Sequence, residues 1–141
     1  MKRSASAEWK GGLTDGQGSI SSGSGVLSHT PYSVQTRFGD VPGTNPEELI
    51  AAAHAACFSM ALSKIMGDAG LKPESIKTTA TVQLLKDADG FSITESRLEV
   101  RVKSPGASDE AFQKAAEAAE HGCPVSKVLK AKITMDAKLE A

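Results

Sequence analysis

With 141 residues, 40% of them hydrophobic and 23% charged, the chain carries enough apolar side chain for one domain with its own core, expected over residues 1–141. A formal net charge of -1, with no run of like charge, sets up no field to draw in nucleic acid or an anionic membrane, and partners of either kind are not expected. The basic tip at Lys2 and Arg3 is followed by no apolar segment, so no secretory signal is read and a cytoplasmic setting is expected.

Along the chain, Ala5, Ala7 and Trp9 alternate with polar residues before Gly11 and Gly12, which predicts a short strand and the start of a hairpin. Residues 14–30 are rich in Gly, Ser and Thr, and an edge strand is expected near residues 17–21. Tyr32, Val34, Thr36 and Phe38 take one parity against Ser33, Gln35 and Arg37, the pattern of a strand that leaves Arg37 near its end and opposite Phe38.

Asn45-Pro46-Glu47-Glu48 combines an N-cap Asn, Pro at N1, first-turn acids and Glu48 at the capping-box position, and predicts a helix from there to about residue 69, stopped by Gly70. Its apolar positions run nearly all round the cylinder, so enclosure on most sides is expected. The charge-free stretch 49–63 contains His54, Ser59 and Ser63 and is too short and too polar to span a bilayer. Ala80, Val82 and Leu84, then a turn at residues 86–90, predict a β-hairpin. The apolar parity changes from Phe91 and Ile93 to Leu98, Val100 and Val102, so a bulge is expected near residues 95–97. Ser108 caps a helix over residues 109–120 and Gly122 ends it; Pro124 opens a short helix to about residue 130 with Cys123 as its N-cap. Alternation over residues 131–139 predicts a last strand with one buried face. The order of elements argues for an α+β fold with antiparallel pairing.

The chain has two cysteines, in a charge-free helical run and at a helix start, a placement that suits a redox pair better than a stapled scaffold. A thiol with a pKa of about 8.5 is only slightly ionised at neutral pH, and the thiolate is the nucleophile. Cys57 lies too far into its helix for the dipole to help, and apolar surroundings alone raise its pKa, so it needs a cationic partner. Arg37 is the best candidate, with Glu47 or Glu48 as the carboxylate that fixes its fork. Ten residues of straight helix separate Glu47 from Cys57 by about 15 Å, so an arginine can serve both only if the first turns bend away or the glutamate belongs to another subunit. Cys123 gains from its N-cap position and is placed to attack an oxidised sulfur, the role of a resolving cysteine.

Plainer readings exist for each residue. A cysteine on an alanine-rich helix is commonly a small core residue, a strand arginine a surface ion-pair member, and Glu47 and Glu48 are accounted for as first-turn acids. A competing chemistry is a Cys2His2 metal site from His54, Cys57, His121 and Cys123, with nonstandard spacing in each pair. There is no Cys-x-x-Cys, P-loop or dinucleotide glycine fingerprint.

Thr36-Arg37-Phe38, Gly43-Thr44-Asn45-Pro46-Glu47-Glu48-Leu49, residues 51–60 around Cys57, and Gly122-Cys123-Pro124-Val125-Ser126 together closely resemble the OsmC family, its OsmC branch more than its Ohr branch, and the resemblance covers nearly the whole chain. The resemblance implies an intertwined homodimer in which antiparallel sheets wrap around central helices, with active sites at the subunit interface. It implies a thiol-dependent peroxidase of organic hydroperoxides, with Cys57 peroxidatic, Cys123 resolving, and Arg37 with Glu47 holding the thiolate, which favours Glu47 over Glu48. The product of oxidation would be a Cys57–Cys123 disulfide reopened by an external dithiol, a dihydrolipoyl group on a partner protein; no metal or flavin is implied. An apolar lining from Phe38, Phe58 and Met60 would suit an alkyl or aryl hydroperoxide.

Overall fold

The computed structural model describes all 141 residues, and the chain resolves into two compact units, Met1–Leu49 and Ile50–Ala141. In the first unit, β1 (Ala5–Lys10), β2 (Gln17–Ser22) and β3 (Thr30–Tyr32) form an antiparallel sheet in the order β1-β2-β3. The strand expected at an edge is therefore the central one. Pro31, which has no N–H to give a ladder, occupies β3 and takes the edge. Trp9, Gly18 and Tyr32 stand abreast, and the two rings pack at 5.5 Å between centroids. A Cβ at Gly18 would fall inside both rings, so glycine is what lets them lie over β2.

The segment expected to continue as a strand through Phe38 is instead a short helix, α1 (Val34–Phe38). Local chemistry overrides the alternation there. Ser33 accepts from the Thr36 N–H at 3.2 Å and the Thr36 hydroxyl accepts from the Ser33 N–H at 2.8 Å, a reciprocal cap that satisfies the first turn. Arg37 consequently sits in the last turn of α1 and not at a strand end. The Thr36 hydroxyl also reaches the Thr44 carbonyl at 2.9 Å, which ties α1 to the approach to α2 (Pro46–Asp68). Asn45 caps α2 by accepting from the Glu48 N–H at 2.8 Å, and Glu48 accepts from the Thr44 hydroxyl at 3.1 Å. The helix closes where Gly70 takes φ +77° and the Leu71 N–H returns to the Met66 carbonyl at 2.9 Å.

In the second unit, β4 (Ser75–Asp87) and β5 (Gly90–Lys103) form a long antiparallel hairpin, and β6 (Lys132–Glu140) adds beside β5 in parallel. The parallel pair departs from the antiparallel expectation, because β5 and β6 are joined by a crossover through α3 (Asp109–Gly122) and α4 (Pro124–Val128). Gln83 pairs Glu95 while Leu84 pairs Ile93, so Thr94 is the extra residue and the bulge lies one position before the expected window. Past it, Ser96, Leu98, Val100 and Val102 share the buried face of β5.

Onto that face α2 lays His54, Phe58, Leu62 and Met66, four positions apart, and α3 lays Phe112, Ala115, Ala116 and Ala119. Each large apolar side chain so buried contributes about 2 kcal/mol. Within the chain only this one stripe of α2 is enclosed, against the expectation of enclosure on most sides; Ala52, Ala53 and Ala56 are exposed and Met60 is 77% exposed. By length and composition α2 could cross a membrane, being eight residues longer than the charge-free run, but its buried stripe is packed against the sheet.

Thr36→Val removes one acceptor and the one hydroxyl proton shared between the Ser33 and Thr44 carbonyls, while keeping the side-chain volume. A loss of about 1–2 kcal/mol in unfolding free energy is expected, read from the urea midpoint.

Candidate active site

Cys57 precedes Phe58 of the buried stripe, which leaves its sulfur at the margin of the core and half-buried. Cys123 continues the α3 stripe one turn beyond Ala119, is fully buried, and serves as both C-cap of α3 and N-cap of α4. Both thiols are free and lie close enough for each to act on the ionisation of the other. Burial pushes the Cys57 thiol up and the hydrogen bond to Cys123 pushes it further; the Val125 backbone pulls it back, and charge at Cys123 adds a lesser push upward. Burial would raise Cys123 too, but the Cys57 thiol, the Ser126 backbone and hydroxyl and the Val125 backbone together bring it below its ordinary value. The pair thus shares a proton unequally. Ionisation is therefore easier at Cys123, beside the first turn of α4, than at Cys57.

Behind the sulfurs lies a buried polar chain. His54 is fully enclosed, with Nδ1 2.7 Å from the Ser96 hydroxyl and Nε2 2.8 Å from the Ser126 hydroxyl. Burial lowers its pKa below the usual 6.5, so the ring is neutral at physiological pH. In front of Cys57 an open groove of about 470 Å³ is lined by Met60, Ala61, Ile65, Gly122 and Pro124, with Lys64 at its border. Of the three residues expected to form an apolar lining, Met60 is in this groove. Phe58 is not: it is fully buried in the core, as its place on the packed stripe of α2 requires.

In the first unit, the Arg37 guanidinium grips Glu47 with both a 2.6 Å Nη2–Oε1 contact and Nε contacts of 3.1 and 3.2 Å. Glu48 is turned to Thr44, so of the two acids Glu47 is the one Arg37 holds. Arg37 also lies 5.2 Å from the centroid of the Phe38 ring and borders an apolar cavity of about 280 Å³ walled by Trp9, Leu13, Tyr32 and Val34. Phe38 therefore belongs to this cavity.

The tetrahedral metal site weighed from sequence does not assemble. Both ring nitrogens of His54 are taken by serines, the His121 Nδ1 is bound to the Glu117 carbonyl at 2.8 Å, and no three His, Cys, Asp or Glu side chains converge as ligands. The sequence reading gave neither serine a role, although each carried a signal. Ser96 falls on the buried parity of β5, where a hydroxyl demands a partner, and Ser126 stands three residues after an N-cap.

The family model for OsmC-like protein matches residues 38–138. The chain is 50% identical over 141 residues to Peroxiredoxin OsmC of Escherichia coli (strain K12), covering 100% of this chain and 99% of that one. It is 33% identical over 125 residues to the organic hydroperoxide resistance protein OhrB of Bacillus subtilis (strain 168), covering 87% and 88%. Among solved structures, that of OhrB of Bacillus subtilis superposes with a TM-score of 0.69 at 28% identity, covering 97% of this chain and 98% of that one. An OsmC-like protein of Vibrio cholerae O1 biovar eltor reaches 0.78 at 21% identity, covering 98% and 99%, a likeness of fold. The α+β architecture is thus that of the OsmC and organic hydroperoxide resistance proteins.

Because burial lowers the folded-state pKa of His54, the unfolded chain binds its proton more tightly. The stability this contributes is complete above about pH 6.5 and is lost as pH falls through that value toward the folded pKa. His54→Gln, which cannot titrate, is expected to flatten the decline of the urea midpoint below pH 6.5; an unchanged slope would assign the decline to other groups.

Proposed function

Since this chain belongs to the OsmC family, we propose that it is a thiol peroxidase that reduces organic hydroperoxides to alcohols through Cys57 and Cys123. The observation that carries this is the approach of two free thiols from separate elements, one bordering an apolar groove and the other buried behind it. Access assigns the roles. Cys57 faces the groove and meets the peroxide; Cys123 is enclosed and meets only Cys57.

In the proposed sequence the Cys57 thiolate attacks the distal oxygen of ROOH, the O–O bond breaks, and the departing alkoxide takes a proton to become the alcohol. Cys57 is left as a sulfenic acid. The Cys123 thiolate then attacks that sulfur and hydroxide leaves, protonated to water, which forms the Cys57–Cys123 disulfide. An external dithiol, in this proposal a dihydrolipoyl group on a partner protein, attacks the disulfide and becomes oxidised in its place. The apolar wall of Met60, Ala61 and Ile65 supports an alkyl or aryl R group over hydrogen peroxide. No metal or organic cofactor enters the scheme. A cycle whose disulfide is reopened by an external dithiol suits a cytoplasmic setting.

Cys57 still needs a cation, and Arg37 fixed by Glu47 is the proposed source, acting on the thiolate and on the leaving oxygen. Because α2 is one helix with Glu47 about 15 Å of axial rise before Cys57, we place the Arg37–Glu47 pair of one copy against the Cys57 of another, in a homodimer. The exposed Ala52, Ala53, Ala56 and Met60 face of α2 supports such pairing, because small side chains let a second helix approach closely.

One equivalent of cumene hydroperoxide should remove two hydrogens from the wild-type chain and yield a peptide cross-linked between residues 57 and 123 in the mass spectrum. Cys57→Ser should abolish turnover, whereas Cys123→Ser should consume about one equivalent and stall as a sulfenic or higher acid. Equal steady-state rates for Cys123→Ser and wild type would reject the resolving role. Arg37→Ala should slow peroxide attack by at least about tenfold, the scale of one charge-assisted hydrogen bond to the sulfur, and raise the pH needed to alkylate Cys57; an unmoved profile would remove Arg37 from the site.

A further inference from the structure

We infer that His54 and Ser126 form a buried latch that joins α2 to α4 one helical turn from each cysteine, and that this latch, held from behind by Ser96, positions Cys123 for disulfide formation with Cys57.

The spacing carries the argument. His54 precedes Cys57 by three residues on α2, which puts the two on neighbouring positions of one helix face, and Ser126 follows Cys123 by three on α4. The 2.8 Å contact between His54 Nε2 and the Ser126 hydroxyl therefore links the same two elements that bring the sulfurs, about one turn along each. Cys123 cannot drift relative to Ser126. The Lys127 N–H closes the first turn of α4 on the Cys123 carbonyl at 3.1 Å, and the Cys123 N–H is itself held by the Ala119 carbonyl at 2.9 Å. On the far side of the latch, Gly122 and Pro124, the two chain neighbours of Cys123, line the same groove as Cys57.

Little else holds α4 in place. It has five residues, too few to persist as an isolated helix, no side chain caps its start, and Ser126 is its one buried residue. An apolar side chain there would seat the helix by area alone and let it slide over aliphatic neighbours, whereas a hydroxyl seats it by a directional bond to one partner. Ser96, on the buried face of β5, stands 2.7 Å from Nδ1 and takes the other ring nitrogen, so the imidazole is fixed between β5 and α4. A neutral ring offers one donor and one acceptor and a hydroxyl can act as either, so both contacts stand in both tautomers. His54 and Ser96 are fully buried and Ser126 is 7% exposed, so water does not compete for them. None of the three enters the proposed chemistry. They are positioning residues: elements already joined have less freedom to lose when the disulfide closes between them.

The inference takes its meaning from the proposed Cys57–Cys123 disulfide, but its test needs no peroxide. When the full chain is equilibrated with glutathione, closing the disulfide converts one oxidised glutathione to two reduced ones, and the composition at half-oxidation measures how readily the pair closes. Ser126→Ala is expected to weaken closure about tenfold, the scale of one buried hydrogen bond, which is a shift of about 30 mV. Two amide variants separate the ring nitrogens. His54→Gln carries its amide to where Nε2 stands and should stay close to wild type; His54→Asn reaches only toward Ser96 and should match Ser126→Ala. The His54→Asn, Ser126→Ala double variant should move no further than either single one, because both break one contact. Equal equilibria for Ser126→Ala and wild type, equal losses in His54→Gln and His54→Asn, or additive losses would overturn the latch. Should His54→Asn not fold, Ser126→Ala against His54→Gln decides it. A cross-link driven by hydroperoxide with unmoved glutathione equilibria would sink the latch and spare the peroxidase reading; moved equilibria with no cross-link from hydroperoxide would do the reverse.

Discussion

The chemistry of the second unit depends on two helices seated against one face of a three-stranded sheet. The α2 stripe at residues 54, 58, 62 and 66 sets the rotation of that helix, and the α3 stripe at residues 112, 115, 116 and 119 sets the other. Cys123 is the next member of the α3 stripe, and Cys57 stands one residue off the α2 stripe. Their approach is thus a by-product of apolar packing that would exist for any side chains at those positions. The core is made of Phe, Leu, Met, Val and Ala in contact, so neither helix can turn by one residue without lifting a large side chain into water. What packing does not settle is which thiol ionises more readily, and polar groups decide that.

Burial acts on both thiols in the same sense, so the difference between them must come from hydrogen bonds. Cys57 is inside a regular helix, where the neighbouring amides are spent on the i to i-4 ladder. Cys123 is at a helix junction, where the amides that follow it have no carbonyl to meet. The asymmetry of the pair is therefore written into backbone geometry. It suits the proposed resolving step, because the buried thiol ionises more readily than the half-buried one. It does not help the proposed first step, since the Cys57 thiol is held above its ordinary value.

The features legible in the sequence were those governed by local or one-element rules. The caps at Asn45 and Ser108, the Gly70 stop, the alternation of β5 and β6 and the bulge between the two parities of β5 all emerge from spacing alone, and the structure contains each of them. The failures occurred where two local rules competed. Over residues 32–38, period-two alternation favoured a strand while Ser33 and Thr36 could cap one another, and hydrogen bonds satisfied within four residues outweigh a weak strand that would only have prolonged the edge strand β3. Likewise the Gly- and Ser-rich β2 read as an edge because its composition is poor for strands, yet Pro31 cannot donate to a ladder and so must itself be outermost. The pairing of Arg37 with Glu47 lay between these cases. First-turn chemistry explained both acids equally, and only the Thr44 hydroxyl drawing Glu48 aside leaves Glu47 for the guanidinium.

His54 shows how an apolar pattern can hide a polar function. Its position, every fourth residue with Phe58, Leu62 and Met66, is that of a core side chain, and its proximity in sequence to Cys57 suggests a metal ligand. The first view is incomplete, and the second fails because serines take both ring nitrogens. A ring buried to this degree must satisfy two nitrogens, and the partners come from β5 and α4, one 42 residues away and the other 72. No rule confined to one helix can supply partners at those separations, but the need for them is visible, since the buried parity of β5 holds Ser96 among Leu98, Val100 and Val102. A hydroxyl in an aliphatic row and an imidazole in an aliphatic stripe are each costly alone by about 1–3 kcal/mol and are compatible only if they meet. Mutual necessity among buried polar residues is then a long-range signal in a sequence, complementary to the periodicity that locates the helices and strands themselves.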